Sequence, residues 1–592
     1  MSEEMRWDLL QLVKSTEPDW IAKRLEEAVQ KAGLWRERYQ GKIESLDAKG
    51  VLELLEEKDK FSLEIEGVLQ YCALRYAADT TDLVSQQLHN SARKAGTKIG
   101  QALAFMDIEM GKLLASNPTI VEAPALVEYK HYLERTLRVI PHLLSETEER
   151  LVMAKDQNGV NAWSQLQGDW LSTRTFQLTV DGKVRTLPYG EIIGYYQHHD
   201  RALRKQANQV VYHDLSKDEI VWSSAIRAIC SDHLQMCEWR KYPSPMTQSL
   251  IANDLEQGAI DALMRTMMKN VDLYRRYLRL KAKLMELPKL GNWDVVAPLP
   301  STPNKKFSWD ESRKLIVSAY SHFDQQFGDW VDEMYQKRHI DAEVRKGKES
   351  GAFCSTWFGG KSAFILQSFN GTMNDVYTQA HELGHGVHAY LGSRAQKPSN
   401  YEIGSCIAEC GSIFGELLLT ERLLKSAKSD SERQAVLAMI LDEFGMSAFQ
   451  VSARYFFEKS MYETVQAGKF LDGETISKVW VTARDSVYGD AMEWLPEMKW
   501  EWTMKMHYYI PNYRFYNYPY VFAQLFVFSL YRLYKEEGTS FVPKLRRLLS
   551  AGSSLSPTDL AKEIGFDIYT DEFWQKGMKQ AKEFIDQLEK TL

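Results

Sequence analysis

The chain contains one short motif whose residue types and spacing could hold a catalytic metal, the sequence HELGH at residues 381–385. On a helix, His381 and His385 lie one turn apart on the same face, so both imidazoles can reach one tetrahedral zinc ion. Glu382 lies about 100° further round the helix, beside the metal and not on it. There it could take a proton from a water molecule that the metal activates. The motif therefore predicts metal-assisted hydrolysis.

The residues around the motif predict a helix that follows two short strands. Asn374 or Asp375 is the predicted N-cap of this helix, and Gly392 is the predicted C-cap. The preceding segment, 352–369, is rich in aromatic and β-branched residues, which is typical of strands. Its second strand, Ser362–Phe369, could pair with an extended peptide, although ordinary sheet structure explains it equally well. A chance match to HExxH has odds of roughly 2% in such a chain, and this context weakens that explanation further.

The motif alone supplies two ligands, so a third must come from elsewhere. His388 lies seven residues from His381, or ~10 Å along a helix axis, which is too far to share one metal. We expect it to be a supporting or core residue. The pattern HExxHxxGxxH also fails, because positions 388 and 391 hold His and Leu. The arrangement that remains is a gluzincin site, in which the third ligand comes from another helix.

The next helical segment offers three glutamates, Glu402, Glu409 and Glu416, at intervals of seven residues. Pattern alone does not choose between them. A helix start at Gly404 and Ser405 would leave Glu402 outside the helix and favour Glu409 as the ligand. Glu416 would then support the site or lie at the edge of the core.

The six cysteines are too few for a disulfide framework in a chain of 592 residues. A reducing cytoplasm would leave them as buried thiols. Cys406 and Cys410 flank Glu409 and are alternative soft ligands. Two histidines and one carboxylate with an open water position nevertheless suit hydrolysis better.

Composition predicts a soluble globular protein with more than one core. Hydrophobic residues make up 44% and charged residues 26% of the chain, and the formal net charge is −7. An acidic balance argues against nucleic acid or an anionic membrane as partner. The N-terminal residues lack the pattern of a secretory signal, and the most apolar stretch, Tyr520–Leu533, is short and aromatic, as in a buried helix. We expect a cytoplasmic location.

Helical periodicity dominates the sequence. It predicts helices at Trp20–Tyr39, Ala48–Leu69, Ala77–Leu114, within Tyr195–Leu287 and on a solvated C-terminal segment from Asp571. Capping boxes are predicted at Ser145 with Glu148 and at Ser308 with Glu311. The Asp181-Gly182 pair predicts a hairpin over residues 176–187. A loop rich in proline, glycine and asparagine follows Leu287.

The sequence resembles the oligoendopeptidase F and thimet oligopeptidase family of zinc peptidases, and most closely the oligoendopeptidase F branch. The resemblance spans nearly the whole chain. It is carried by MRWDL, ALVEYKHYLERTLRVIPHLLSETEERL, GAFCSTWF, DVYTQAHELGHGVHAYL, IAECGSIFGELLL and FYNYPYVFAQLF. HELGH with a glutamate-rich helix about two dozen residues further on is more specific than HExxH alone.

The resemblance implies a mostly α fold. This would be a multi-lobed helical ellipsoid that encloses a deep channel, with a small β element before the HExxH helix, as in neurolysin-like gluzincins. We expect an N-terminal helical lobe over residues 1–190, with the hairpin near 176–187, and a zinc peptidase catalytic domain over 191–592. A channel of this kind would admit only short unstructured peptides.

The resemblance also implies the remaining site residues. Glu409 is the implied third ligand of one Zn²⁺ per chain. His507, Tyr513 and Tyr520 are the implied residues that bind the developing oxyanion and the substrate backbone. The histidine lies a residue or so further from the last tyrosine than in more distant relatives, so Tyr516 or Tyr518 could hold the role instead.

The predicted function is therefore that of a zinc-dependent oligoendopeptidase that cleaves internal bonds of short peptides. One alternative is an exopeptidase of dipeptidase or carboxypeptidase type on the same centre, with Arg514 as an anchor for a substrate terminus. Another is a non-catalytic helical protein that binds peptides. The intact HELGH motif favours an enzyme over the last alternative.

Overall fold

The computed structural model of the chain describes residues 3–300 and 305–592, apart from the side chains of Glu3 and Asn512. Helices account for 74% of the structure, which confirms the mostly α prediction. The α-helices in chain order are α1 (Pro18–Tyr39), α2 (Ala48–Ala78), α3 (Leu83–Leu103), α4 (Phe105–Ser116), α5 (Lys130–Val139), α6 (Glu146–Asn158), α7 (Val160–Thr173), α8 (Tyr189–Ile192), α9 (Arg201–Ser216), α10 (Glu219–Trp239), α11 (Thr247–Ala252), α12 (Gln257–Lys269), α13 (Val271–Leu284), α14 (Trp309–Phe323), α15 (Gln325–Gln336), α16 (Met373–Ala395), α17 (Ser405–Ala408), α18 (Cys410–Ser426), α19 (Asp430–Phe444), α20 (Val451–Gln466), α21 (Gly473–Tyr488), α22 (Asn517–Glu537), α23 (Val542–Ser550), α24 (Pro557–Glu563) and α25 (Asp571–Glu589).

The strands of the described chain are short and form three small sheets. Their bounds are β1 (Thr175–Val180), β2 (Lys183–Pro188), β3 (Leu290–Gly291), β4 (Ile340–Asp341), β5 (Phe353–Trp357), β6 (Ser362–Leu366) and β7 (Met492–Glu493). Strands β1 and β2 form the predicted hairpin, in which Asp181 and Gly182 both have positive φ, at 52° and 73°. Two such residues in succession build the turn that matches the twist of a hairpin.

The described residues divide into two compact units, each with its own buried core. The first comprises 3–140, 305–423 and 533–565, and the second comprises 141–300, 424–532 and 566–592. Both are therefore built from segments that are far apart in sequence. The expected N-terminal lobe over 1–190 and catalytic domain over 191–592 are each one continuous stretch of sequence. That division stays a prediction.

Local sequence signals explain several of the helix boundaries. Both predicted capping boxes are present, with Ser145 and Ser308 accepting hydrogen bonds from the backbone of Glu148 and Glu311. The predicted segment Ala77–Leu114 is wrong as a single helix, because α2 runs on to Ala78 and the chain then breaks before α3 and again before α4. The side chain of Asp82 accepts a hydrogen bond from the backbone N–H of Ser85. Asp82 is therefore the N-cap at which α3 begins as a separate helix.

The C-terminal helix differs from the solvated surface helix that its charges predict. Helix α25 buries one whole face, including Phe573, Trp574 and Phe584. Its charged residues occupy the opposite face, so the segment is amphipathic and belongs to the core of the second unit.

One helical run, Asp430–Gln466, is long and apolar enough to cross a membrane by length and composition. It joins α19, a π-helical turn at Gly445–Gln450 and α20. In its most apolar window 61% is buried inside the protein, as in the core helix of a soluble protein, so the run is weak evidence for a membrane span.

A three-stranded sheet in the first unit leads into the helix that carries HELGH. The strand order is β4-β6-β5, with β6 parallel to β4 and antiparallel to β5. The suggestion that Ser362–Phe369 pairs with a peptide is therefore wrong, because β6 already has a strand on both sides. Strand β5 lies at one edge of this sheet. Strand β4, the parallel partner of β6, spans only two residues, which is too short to predict from sequence.

Candidate metal centre

Helix α16 carries the HELGH motif, and it begins and ends outside the predicted residues. Thr372 is the N-cap and forms a capping box with Asp375, so the predicted caps Asn374 and Asp375 lie inside the helix. The helix continues to Ala395 and does not end at Gly392. A Cβ atom on Gly392 would lie 2.7 Å from the ring of Tyr401, so this glycine permits close packing and does not terminate the helix.

The second ligand-bearing segment begins at the predicted position. Helix α17 has Gly404 as its N-cap and ends after one turn, at Ala408. Glu409 is the residue at which the chain passes from α17 into α18, with φ −83° and ψ 3°. Glu402 lies before α17 and is exposed. The helix start therefore separates Glu402 from the other two glutamates, as the sequence predicts.

His381, His385 and Glu409 converge so that they could hold one metal ion. A ligand atom of each lies within 4.8 Å of those of the other two. Oε2 of Glu409 is 3.4 Å from Nε2 of His381 and 3.3 Å from Nε2 of His385. Two imidazole nitrogens and one carboxylate oxygen are the donor set of catalytic zinc sites. The residues present therefore fit the metal that the sequence predicts.

Two polar neighbours fix the orientation of these ligands. Oε1 of Glu416 lies 2.5 Å from Nδ1 of His381, which leaves Nε2 of the same ring directed towards Glu409. The hydroxyl group of Ser412 donates to Oε2 of Glu409 over 2.6 Å. A carboxylate on the far nitrogen of a ligating histidine fixes the ring and strengthens it as a ligand. The sequence indicated a supporting role for Glu416 but gave no signal for Ser412.

The charges of the site favour a cation between the three ligands. Burial opposes the charged form of His381, but hydrogen bonds with Glu409 and Glu416 outweigh it and raise the pKa of His381 well above its ordinary value. Burial also opposes ionised Glu409, yet the two histidines bring the pKa of Glu409 far below its usual range. Carboxylates that attract a proton to an imidazole also attract a divalent cation that bridges both groups.

Glu382 lines a cavity of about 510 Å³ together with the three candidate ligands. Its side chain is buried, and burial raises the pKa of Glu382 above the usual value for glutamate despite the two histidines nearby. The lining also includes Phe353, Cys354 and Thr356 of the edge strand β5. A buried carboxylate with a raised pKa beside a candidate metal site is well suited to accept a proton.

The remaining candidates near the motif do not join the ligand group. His388 is 2% exposed, and burial lowers the pKa of His388 to about 4, as expected for a core histidine. Cys406 and Cys410 are buried free thiols, and burial raises the pKa of both, which disfavours thiolate ligation. All six cysteines are free, as predicted, although Cys354 is half-buried at the cavity wall.

A glycine contact brings α16 together with α18, the helix that begins directly after Glu409. A Cβ atom on Gly384 would lie 2.3 Å from the carbonyl oxygen of Gly411 and 2.6 Å from Cα of Ser412. Conversely, a Cβ atom on Gly411 would lie 2.4 Å from the carbonyl oxygen of Gly384. The backbones of α16 and α18 therefore touch at this point, and Glu409 reaches the histidines because no side chain separates them.

We expect Gly384→Ala to weaken metal binding and to lower the free energy of unfolding by about 1 to 3 kcal/mol, the usual cost of overpacking. Backbone atoms cannot yield as a flexible side chain can, so the helices must move apart. Gly386→Ala is the matched control, because its Cβ would meet only the flexible end of Met334. Zinc titration and chemical denaturation of both variants measure the effects. Equal zinc affinity in both would show that the glycine contact does not set the site.

The predicted oxyanion residues form a cluster within the second unit. The ring centroid of His507 lies 6.0 Å from that of Tyr513, 6.2 Å from that of Tyr516 and 6.0 Å from that of Tyr520. Nε2 of His507 is 3.4 Å from the hydroxyl oxygen of Tyr520. Burial, and then the charges of Arg454 and Lys505, lower the pKa of His507 to about 4, so the ring is neutral at pH 7.

Two residues of this segment, Tyr518 and Arg514, are buried and form hydrogen bonds inside the protein. Tyr518 is fully buried, and its hydroxyl group donates to the carbonyl oxygen of Ser249 over 3.0 Å. Arg514 is 4% exposed and donates to the carbonyl oxygen of Tyr508. Tyr518 is thus not accessible as an alternative to Tyr520, whereas Tyr516 remains one.

A buried carboxylate holds the turn between these tyrosines. Phe515 has a positive φ of 55°, which is costly for a non-glycine residue. Its backbone N–H donates to Oε1 of Glu458 over 2.8 Å, and the side chain of Asn517 donates to Oε2 over 3.3 Å. Glu458 is 2% exposed, and burial raises the pKa of Glu458 to about 7. Nothing in the sequence indicated this contact.

We expect stability to fall between pH 5 and pH 8 because of Glu458. A carboxyl group whose folded pKa is raised stabilises the fold below its unfolded pKa and loses that stabilisation as pH rises through the folded pKa. A rise to about 7 from 4.5 corresponds to about 3 kcal/mol. Denaturation at both pH values should show a smaller difference for Glu458→Gln than for wild type. Glu463→Gln, an exposed glutamate on the same helix, is the control, and equal pH dependence in all three proteins would refute the assignment.

The fold and this centre together define a class of protein. A mostly helical chain in which an HExxH helix is completed by a glutamate from a following helix has the architecture of a gluzincin metallopeptidase. Residues 195–580 match the profile of Peptidase family M3, and residues 119–176 match that of Oligopeptidase F. The first match covers more than half of the chain, so the chain belongs to peptidase family M3. It is a peptidase.

Curated relatives agree with this family over nearly the whole chain. Oligopeptidase PepF of Bacillus subtilis is 26% identical over 566 residues, which cover 94% of this chain and 83% of the relative. An oligoendopeptidase F homolog of Lactococcus lactis is 25% identical and covers 100% of this chain and 98% of its own length.

Solved structures share the fold. A crystal structure from Chlamydophila abortus has a TM-score of 0.89 at 21% identity and covers 100% of this chain and 99% of that one. Oligoendopeptidase-F from Enterococcus faecium has a TM-score of 0.69 at 20% identity, covering 97% and 98%. At these identities the likeness concerns the fold alone.

Proposed function

We propose that this peptidase is a zinc-dependent endopeptidase that cleaves internal bonds of short unstructured peptides. The observation that carries the proposal is the convergence of His381, His385 and Glu409 on one point of a cavity that Glu382 also lines. We assign the three convergent residues as zinc ligands, one ion per chain. The names of the curated relatives, oligopeptidase and oligoendopeptidase F, support the choice of short peptides and of internal bonds.

The proposed chemistry divides between the metal and the chain. A zinc ion held by these residues would polarise the scissile carbonyl group and lower the pKa of a water molecule. Glu382 is the general base: it accepts the proton of the attacking water and passes it to the leaving amine. Its burial supports this role, because the raised pKa brings the carboxyl group closer to the operating pH.

We assign the recognition of the peptide backbone to strand β5. This strand is at the edge of its sheet, and residues of β5 line the cavity beside Glu382. An extended peptide can add to such an edge through main-chain hydrogen bonds, which are independent of side-chain identity. A broad tolerance for sequence, with a requirement for an unfolded substrate, follows from this mode of binding.

His507, Tyr513 and Tyr520 are the proposed donors to the oxyanion and the substrate backbone. The low pKa of His507 supports the assignment, because a neutral imidazole can donate one hydrogen bond without carrying a charge of its own. Tyr516 stacks on Tyr513 with ring centroids 4.3 Å apart and is the alternative to either tyrosine.

The exopeptidase alternative needs a charged anchor for a substrate terminus. Arg514 was the candidate, but it is 4% exposed and donates to a backbone carbonyl group. This burial argues against Arg514 as that anchor. The alternative of a non-catalytic peptide-binding protein is disfavoured by the complete set of two histidines, the base and the third ligand. A cytoplasmic location and partners limited to peptides are part of the same proposal.

Mass-spectrometric mapping of cleavage in a peptide library of graded length tests the proposal. Each peptide is supplied free and with both termini blocked. An endopeptidase cuts blocked peptides at internal bonds and loses activity as length and folded structure increase. Cleavage restricted to peptides with a free terminus, and only next to that terminus, would instead establish an exopeptidase.

A further inference from the structure

The second unit contains a cavity of about 510 Å³ that is separate from the one lined by the HELGH helix. His507 and Tyr520 are among its lining residues. Much of the wall is apolar and includes several aromatic rings and three methionines, Met446, Met498 and Met504. Methionine side chains adapt their shape, so such a wall accepts apolar groups of different sizes.

The polar part of this cavity has more positive than negative charge. Glu501 is the one acidic side chain among the described lining residues, and Arg454 and Lys505 are the cationic ones. Nζ of Lys505 lies 3.1 Å from Oε1 of Glu501, whereas the guanidinium group of Arg454 is 3.7 Å from the same atom. Both cations therefore share this one carboxylate, with Lys505 the closer, and the lining carries one positive charge in excess.

The guanidinium group of Arg454 is poorly satisfied for a side chain that is 16% exposed. One of its terminal nitrogens donates to Oε1 of Gln450 over 3.1 Å. Its Nε is buried and has no hydrogen-bond partner among the residues that the structure describes. An arginine has five N–H groups in a planar arrangement that suits a carboxylate, and leaving them unmatched inside a protein is costly.

The positive charges of Arg454 and Lys505 lower the pKa of basic groups that line the same cavity. Burial, and then Arg454, lower the pKa of Lys505 to about 8, and both cations contribute to the low pKa of His507. A bound anion would relieve the repulsion between Arg454 and Lys505, which share a confined space of low polarity.

We propose that this cavity is a subsite for a carboxylate group of the peptide, which Arg454 binds while the adjacent apolar wall receives a neighbouring side chain. The proposal rests on the proposed peptidase function, since the ligand is part of a peptide substrate. The carboxylate comes either from the C-terminus of a short peptide or from an acidic side chain, and the two sources share the same chemistry.

Matched quenched fluorescent peptides distinguish the two sources. One pair differs only in a free or amidated C-terminus, and a second series exchanges glutamate for glutamine at one position at a time. We expect one arm to show a KM about 10-fold lower for the carboxylate form, the effect of one charge-assisted hydrogen bond in a buried site. Affinities for the Glu382→Gln protein, measured by calorimetry, provide the same comparison without turnover. Equal KM and equal affinity in both arms would overturn the proposal.

Variants test whether Arg454 is the residue that binds the carboxylate group. Arg454→Met is expected to reduce the carboxylate preference to within about two-fold, and Arg454→Lys to retain part of it. Arg484→Met is the control, because Arg484 also lies near Glu501 but is not part of the cavity lining. An unchanged preference in both Arg454 variants contradicts the assignment. If wild type neither binds nor cleaves any peptide, the proposed function fails instead, which is a distinct result.

Discussion

Glu382→Gln is expected to lower kcat/KM for peptide hydrolysis by about 10³-fold while zinc content stays at one ion per chain. Glutamine has nearly the same shape as glutamate but cannot accept the proton of the attacking water, and loss of general base catalysis typically costs 10²- to 10⁴-fold. Glu382 is not among the three convergent ligand residues, so the metal should remain bound. Steady-state assays together with metal analysis measure both quantities on the same preparation.

Glu402→Gln is the matched control for this experiment. Glu402 lines the same cavity but is exposed, and it is not part of the ligand group. Its replacement should change kcat/KM by no more than about 3-fold, as for other exposed sites. A Glu382→Gln protein that retains more than a tenth of wild-type activity would show that another group is the base.

Glu409→Ala is expected to remove zinc from the purified protein and with it all measurable activity. The variant leaves two histidines as ligands, and a carboxylate that lies 3.3 and 3.4 Å from their Nε2 atoms is lost. Two neutral ligands hold zinc far more weakly than a set of three that includes a charged oxygen. Isothermal titration with zinc, followed by an activity assay at saturating metal, gives affinity and function together.

Glu416→Ala separates loss of a ligand from loss of its support. Glu416 contacts Nδ1 of His381 and is absent from the ligand group. We expect 10- to 100-fold weaker zinc binding, the usual effect of removing such a partner, with activity recovered at high zinc concentration. If Glu409→Ala kept full zinc while Glu416→Ala lost it, the third ligand would have to be reassigned to Glu416.

The predictable part of the site depends on short-range geometry. His381, Glu382 and His385 follow from the period of one helix. The helix start at Gly404 favours Glu409 over Glu402, and the family resemblance implies Glu409 as the ligand. The same reasoning failed at Gly392, where the glycine serves to accommodate the ring of Tyr401. A glycine near a helix end looks the same in sequence whether it stops the helix or allows a neighbour to approach.

The remainder depends on contacts between distant segments. Glu458 and Phe515 are 57 residues apart, and neither is unusual in its local sequence. The contact between Gly384 and Gly411 becomes visible only when both helices are placed. Likewise, β6 is central because a strand of two residues pairs with it. Propensity and periodicity are local properties, so they cannot indicate such pairings.

The proposed mechanism depends on one zinc ion bound by His381, His385 and Glu409. X-ray diffraction from crystals of the active protein, measured on both sides of the zinc absorption edge, tests this directly. We expect one anomalous peak per chain, within bonding distance of Nε2 of both histidines and of the Glu409 carboxylate. An active preparation with no peak at this position, or with its peak at other side chains, would contradict it.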